Sequence, residues 1–213
     1  MATKVDLKRE LPCYTAERDT PRLIDVPDLR YLMIDGHGDP NTDVYAEAVG
    51  TLYPLAYTLK FVARAELGRD HVVMPLEALW WADDMASFTS ARDKSRWSWT
   101  LMILVPDWIG DDLFAAAVDK VRARSAPARL GDVRFATLSE GRCVQALHIG
   151  SYDDEAGLLR RMHEEFIPGH GLTMTGRHHE IYLSDPRRVA PEKLRTILRQ
   201  PVAPAGPGPS AGR

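Results

Sequence analysis

Cysteine is scarce in this chain, an excess of basic residues is missing, and no long apolar run interrupts it. Each absence excludes something. The two cysteines, Cys13 and Cys143, stand far apart and match no metal or redox spacing. Two isolated cysteines in a chain without a signal peptide read as reduced thiols, and the compartment reads as the cytoplasm. The N-terminus, MATKVDLKRELPCY, lacks the apolar stretch of such a peptide. A net charge of -3 gives a polyanion nothing to approach, whereas nucleic-acid binders carry a clear basic surplus. No apolar stretch nears the roughly 20 residues that cross a bilayer, so no membrane partner is expected.

Familiar catalytic signatures are missing too. Gly36-His37-Gly38 is too short for a dinucleotide fingerprint, and there is no phosphate loop. His163 has no second histidine four residues on, so with Glu164 and Glu165 it does not make the metalloprotease pattern. His178 and His179 are adjacent, would point to opposite faces of a strand, and lack a third ligand. Neither a metal nor an organic cofactor is expected. No serine or cysteine sits in a nucleophile setting. The basic stretch Arg187, Arg188, Lys193, Arg195 and Arg199 reads as solvated surface.

What remains is an ordinary globular composition, 45% hydrophobic and 27% charged over 213 residues. Residues 1–20 read as an irregular surface segment, 21–202 as one domain, and 203–213, almost wholly Pro, Gly, Ala and Ser, as a disordered tail. Leu29 to Asp35 reads as a strand ending at a glycine turn. A helix capped at Asn41, Thr42 or Asp43 runs to about Ala63, carrying Ala46, Val49, Leu52, Tyr53, Ala56 and Leu59 at helical spacing. Val72 to Trp81 and Trp97 to Val105 read as strands joined by the polar stretch Ala82 to Arg96, with Pro106 ending the second. A helix opens at Gly110-Asp111-Asp112. A connecting strand, Val133 to Leu138, follows. The second half then runs strand Arg142 to Ile149, helix Asp154 to Phe166, strand His178 to Leu183 and strand Thr196 to Gln200, stopped by Pro201.

Set side by side, the halves make an internal repeat, about residues 29–106 and 142–202. Gly36 falls opposite Gly150, Asp39 opposite Asp153, Glu77 opposite Glu180, and Pro106 opposite Pro201. One repeat would leave one sheet face uncovered, and pairing two buries it; this α+β repeat of strand, helix, strand, strand does not by itself fix the architecture.

Aromatic rings crowd near carboxylates. Period two puts Glu77, Leu79 and Trp81 on one strand face, Trp97, Trp99 and Leu101 on another, and His178, Glu180 and Tyr182 on a third. Flat apolar walls with a few polar groups form organic-ligand sites, and rings stack on planar or cationic ligands. A carboxylate among apolar neighbours has its pKa raised toward the range useful for acid–base chemistry. The plainer alternative stands beside this: alternate tryptophans pack sheets, and a single strand glutamate faces solvent.

The blocks LMIDGHGDPN, TLYPLAYTLKF, MPLEALWW, WSWTLMILVPDW, RCVQALHIGSYDDE, GRHHEIYLSDPRR and APEKLRTILRQPV, in that order from Val5 to Val202, resemble stand-alone proteins of the GyrI-like small-molecule-binding family. The resemblance implies a fold of two pseudo-symmetric modules with a central ligand groove. Relatives include effector-binding domains of multidrug-responsive regulators, gyrase-inhibitory proteins and a stand-alone branch of cyclopropanoid cyclohydrolases, which add water to the strained ring of DNA-alkylating natural products. MPLEALWW and HHEIYLSDPRR look most like that last branch, and no helix-turn-helix precedes the domain. The implied function is a detoxifying hydrolase acting on planar aromatic or hydrophobic small molecules; the alternatives are a sequestering drug binder and a gyrase-contacting protein. Implied roles are Glu180 as base, Glu77 as a second polar anchor or proton carrier, and Tyr182 or Tyr152 as donor to the carbonyl. Trp81 and Trp99 would be stacking walls, with Trp97 beside them and Tyr53 and His148 near the rim.

Overall fold

A computed structural model of the chain describes residues 4–83 and 93–206. Most of the polar stretch expected between the two first-half strands, and residues 207–213 of the expected tail, lie outside the described residues.

In chain order the elements are β1 (Lys4–Val5), α1 (Leu7–Glu10), β2 (Arg22–Val26), β3 (Leu29–His37), α2 (Asp43–Leu67), β4 (Asp70–His71), β5 (Leu76–Trp81), β6 (Ser98–Val105), α3 (Asp111–Arg124), β7 (Arg134–Leu138), β8 (Gly141–Ile149), α4 (Ala156–Arg160), a π-helical turn (Arg161–Phe166), α5 (Ile167–Gly169), β9 (Leu172–Met174), β10 (His178–Tyr182) and β11 (Arg195–Pro204). They form two compact units. Unit 1 holds residues 4–14 and 28–139, and unit 2 holds 15–27 and 140–206.

Unit 1 is an antiparallel sheet in the order β5-β6-β3-β7 with α2 packed on it. α2 buries Ala48, Thr51, Leu52, Leu55, Ala56, Leu59, Val62 and Ala63, the three- and four-residue spacing of an amphipathic face. It passes Ala63 by a turn and stops at Gly68, whose φ of 66° only glycine adopts cheaply. Pro54, inside the helix, lies on the exposed side. The Lys60 ammonium reaches the Asp70 carboxylate at 2.5 Å and the His71 carbonyl at 2.6 Å, fastening the chain after the helix. The N-terminal segment is not all surface: Cys13 and Tyr14 are buried, because the Tyr14 hydroxyl reaches into unit 1 to donate to Glu77.

Unit 2 repeats the arrangement in the order β2-β8-β11-β10, all antiparallel, with β9 on the far end of β11. Its core joins Val144, Ala146, Leu198 and Val202 from the sheet to Leu158, Met162 and Ile167 from the helical segment. Pro201 does not end the last strand. It pairs with Cys143, after which β11 leaves β8 and pairs through Val202 with Met174 of β9. A proline without an N–H is tolerated where a strand changes partners.

The two sheets match element for element, with β5, β6, β3 and β7 corresponding to β10, β11, β8 and β2. The carboxylate row in unit 1 runs Glu77, Met102, Met33, and the carboxylate row in unit 2 runs Glu180, Leu198, Ala146. On that register Gly36 and Gly150 are one residue out of step, since Gly36 lies three residues past Met33 and Gly150 four past Ala146. Pairing the carboxylates and pairing the glycines are therefore two different alignments, and helix packing favours the second: α2 covers the Trp99 and Gly36 face, away from Glu77, whereas the helical segment of unit 2 covers the face of Ala146, Leu198 and Glu180.

Candidate functional site

The expected site residues fall in both units, and the two sets are in different situations. In unit 1, Trp80 pairs with Trp99 and Trp81 with Ser98. Trp99 therefore lies on the face away from Trp81 and Glu77, which corrects the expectation that Trp81 and Trp99 wall the same ligand. Trp99 is fully buried, meets Tyr45 of α2 edge-on at 5.2 Å, and donates its indole N–H to the Gly38 carbonyl at 3.3 Å. Tyr45 also stacks on Trp80, and Trp97 meets Trp80 edge-on at 5.7 Å. Trp97 and Trp99 thus belong to the packing between sheet and helix, the plainer of the two readings of alternate tryptophans. Trp81 keeps its place on the Glu77 face and is half-buried. Glu77 is wholly buried, with the Tyr14 hydroxyl on its Oε1. Tyr53 is half-buried on α2.

Unit 2 gathers the rest. β10 alternates, so His178, Glu180 and Tyr182 share the face of Leu198 and Ala146, the face packed by the helical segment. The Tyr182 hydroxyl donates to Glu180 Oε2 at 2.7 Å, and His178 Nε2 lies 3.4 Å from Glu180 Oε1. Tyr152 stands edge-on to Tyr182, with ring centres 5.7 Å apart. Burial, followed by the negative charges of Glu155, Glu180 and Asp185, pushes the Tyr152 phenol up to about 12. It is a neutral donor at physiological pH.

His148 has a different task from the one expected at a pocket rim. It is buried, and its Nε2 lies 2.9 Å from the Ser151 carbonyl oxygen, closing the turn after β8. Gly150, with φ 155°, leaves room for that ring: a Cβ there would sit 2.9 Å from Nε2.

Two members of the cluster were not singled out as site residues from sequence. Glu155, in the turn leading into α4, is 4% exposed, and its Oε1 has no hydrogen-bond partner. Burial first, and then the Glu180 charge, raise its pKa well above the ordinary carboxyl range; the nearby Thr196 hydroxyl offsets this only in part. His163, on the π-helical turn, meets His178 edge-on at 6.0 Å, and burial followed by His178 lowers its pKa to about 4. Its Nε2 and both ring nitrogens of His178 are buried without hydrogen bonds. Apart from the period-two pairing of His178 with Glu180, no sequence signal marks these groups. The opening of a polar helix looks solvent-facing until the fold closes over it.

The opposite face of the same sheet carries a buried ionic network. Glu140 accepts from Arg199 at 2.8 Å and lies 3.0 Å from His179 Nδ1, and Arg199 Nε donates to Gln145 at 3.1 Å. Burial alone would raise the Glu140 pKa, but His179 and Arg199 together hold it at about 2. Arg199 is therefore part of the interior rather than of a solvated basic stretch. Because its groups satisfy one another, this network is structural, in contrast to the orphaned groups around Glu180.

Among the described residues no group of three or more His, Cys, Asp or Glu could hold a metal ion. Nor is any described helix long and apolar enough to cross a membrane.

Comparison with known proteins gives a consistent picture. The family model of the GyrI-like small molecule binding domain matches residues 19–203. An uncharacterized conserved protein from Listeria innocua is 37% identical with a TM-score of 0.86, over 94% of this chain and 100% of that one. Two solved structures described as hydrolases, also from Listeria innocua, are 34% and 36% identical with TM-scores of 0.83 and 0.80, each over 94% of this chain and 100% of its own. No curated protein matches.

Proposed function

This chain belongs to the GyrI-like small molecule binding domain family, and from that premise we propose that it is a hydrolase adding water to a strained ring in a planar organic ligand. The substrate class is a cyclopropane fused to a conjugated dienone, and the role is detoxification of such alkylating compounds. The observation carrying this reading is the cluster in unit 2. There a half-buried carboxylate, Glu180, is fixed by the Tyr182 hydroxyl at 2.7 Å, with the neutral phenol of Tyr152 beside it. Two relatives described as hydrolases, each above 30% identity, support it.

The chemistry follows from the groups. Glu180 orients a water and takes its proton as oxygen attacks the cyclopropane carbon. The carbon–carbon bond breaks, its electron pair passes through the dienone to the carbonyl oxygen, and the ring becomes a phenol. A phenolic O–H on Tyr152 is suited to donate to the oxygen where charge gathers.

The test is incubation with a cyclopropane-fused dienone and measurement of the hydrated phenol. Catalytic turnover that Glu180→Gln abolishes while ligand binding persists supports the hydrolase. Stoichiometric binding without ring opening would mean a sequestering protein. Inhibition of gyrase supercoiling by the protein alone, without turnover, would mean a gyrase-directed one.

A further inference from the structure

We infer that Glu155 is the acid partner of Glu180, a buried carboxyl group that delivers a proton to the ligand oxygen while Glu180 takes one from water. The inference rests on the hydrolase reading and deepens it by naming a second catalytic group.

Four observations lead to it. Glu155 is 4% exposed, yet its Oε1 has no hydrogen-bond partner. A buried polar oxygen left unmatched is uncommon and calls for a reason. The groups acting on it are Glu180 from β10, Thr196 from β11, and Asp153 and Tyr152 from its own turn; none is a cation. A buried carboxylate beside a second carboxylate, with no positive partner, is costly, and keeping the proton removes the cost. The division of labour is also built in. Glu180 has the Tyr182 hydroxyl on one oxygen and His178 close to the other, whereas Glu155 Oε1 is buried with no partner. Two carboxyl groups held in such different surroundings can divide the acid and base roles between them.

The step balances. Water gives its hydroxyl to the cyclopropane carbon and its proton to Glu180. The breaking carbon–carbon bond sends its electron pair to the carbonyl oxygen, which takes the proton of Glu155 and becomes a phenol. Glu180 then releases the proton it took and Glu155 regains one by exchange with solvent, so both groups return to their starting states. Nothing is oxidised or reduced.

The experiment measures kcat and KM against pH for the full chain, using a cyclopropane-fused dienone as probe, with wild type, Glu155→Gln, Glu155→Asp and Glu180→Gln. Glu155→Gln should lower kcat by about 100-fold or more and remove the alkaline limb of the profile, with affinity for the probe kept. Glu155→Asp should restore part of the rate and the limb. Full turnover and an unchanged limb in Glu155→Gln, alongside loss in Glu180→Gln, would overturn the acid role and leave the hydrolase reading standing. Absence of turnover in wild type would overturn both. If Glu155→Gln does not fold, the wild type still decides. Its infrared spectrum should carry a protonated carboxyl band at neutral pH that titrates with the alkaline limb, and a spectrum without one refutes the inference.

Discussion

The Trp99 indole lies over Gly36 so closely that a Cβ built on the glycine would stand 2.0 Å from the ring. The two are cross-strand partners, and Trp99 fills the space that any other side chain at position 36 would need. Gly36→Ala should therefore destabilise the protein by overpacking, about 1–3 kcal/mol, read as a lower urea midpoint with unchanged slope. Trp99→Leu should cost stability by itself but absorb the added methyl, so the double variant should be more stable than the sum of the singles.

Acid should weaken unit 2 through Glu140. Its pKa in the fold, about 2, lies below the ordinary 4.5, so at intermediate pH the unfolded chain binds more protons than the native one. The stabilisation is complete above about pH 4.5 and is lost as pH falls toward 2, on the order of 3 kcal/mol in all. Chemical denaturation across that window should show the slope, and Glu140→Gln should flatten it. At neutral pH Arg199→Met should be costly, about 3–5 kcal/mol, because it strands a buried carboxylate.

Glu155 should show the opposite sign. Its pKa is raised in the fold, so above the ordinary carboxyl range the unfolded chain releases a proton that the native state keeps. Stability contributed at low pH is then lost as pH rises past 4.5. Glu155→Gln removes this penalty, and the variant should gain on wild type in melting experiments as pH increases from 5 to 8, taken as about the range where the difference builds. A gain in stability paired with a loss of turnover is the pattern of a functional group held at a structural cost.

Tyr182→Phe removes the 2.7 Å hydrogen bond to Glu180 while keeping the ring. A hydrogen bond to a charged group is worth about 1.5–3 kcal/mol. If it holds the base in place, kcat/KM for ring opening should drop by roughly 10- to 100-fold. Thermal stability should change much less than activity.

The elements with strong periodicity were readable before any coordinates: α2 and α3 from their apolar stripes, and β3, β5, β6, β8 and β10 from short apolar runs bounded by turns. β2, whose only fully buried residue is Val26, and the three-residue β9 gave no such pattern. The extension of β11 through Pro201 was hidden because its new partner, β9, is itself unreadable. In the site, period two grouped His178, Glu180 and Tyr182 correctly, and the Tyr182–Glu180 bond is the result. The same rule grouped the tryptophans correctly but could not say which face a helix covers, so Trp99 looked available for a ligand. Glu155 escaped because the groups around it come from its own turn, β10 and β11, and no local window contains all three.

The fourth strand of each sheet is exchanged along the chain. β2 immediately precedes β3 yet pairs with β8, while β7 immediately precedes β8 yet pairs with β3. During synthesis, residues 22–26 must therefore wait for more than a hundred later residues to emerge before they find their partner, whereas β7 joins a neighbour already made. Long-range pairing of this kind is slow, so a stalled or truncated product would hold a completed first sheet and a dangling, sticky ribbon at its front. Splitting the gene between residues 139 and 140 would not yield two independent proteins, because the second piece would lack a strand that only the first one encodes.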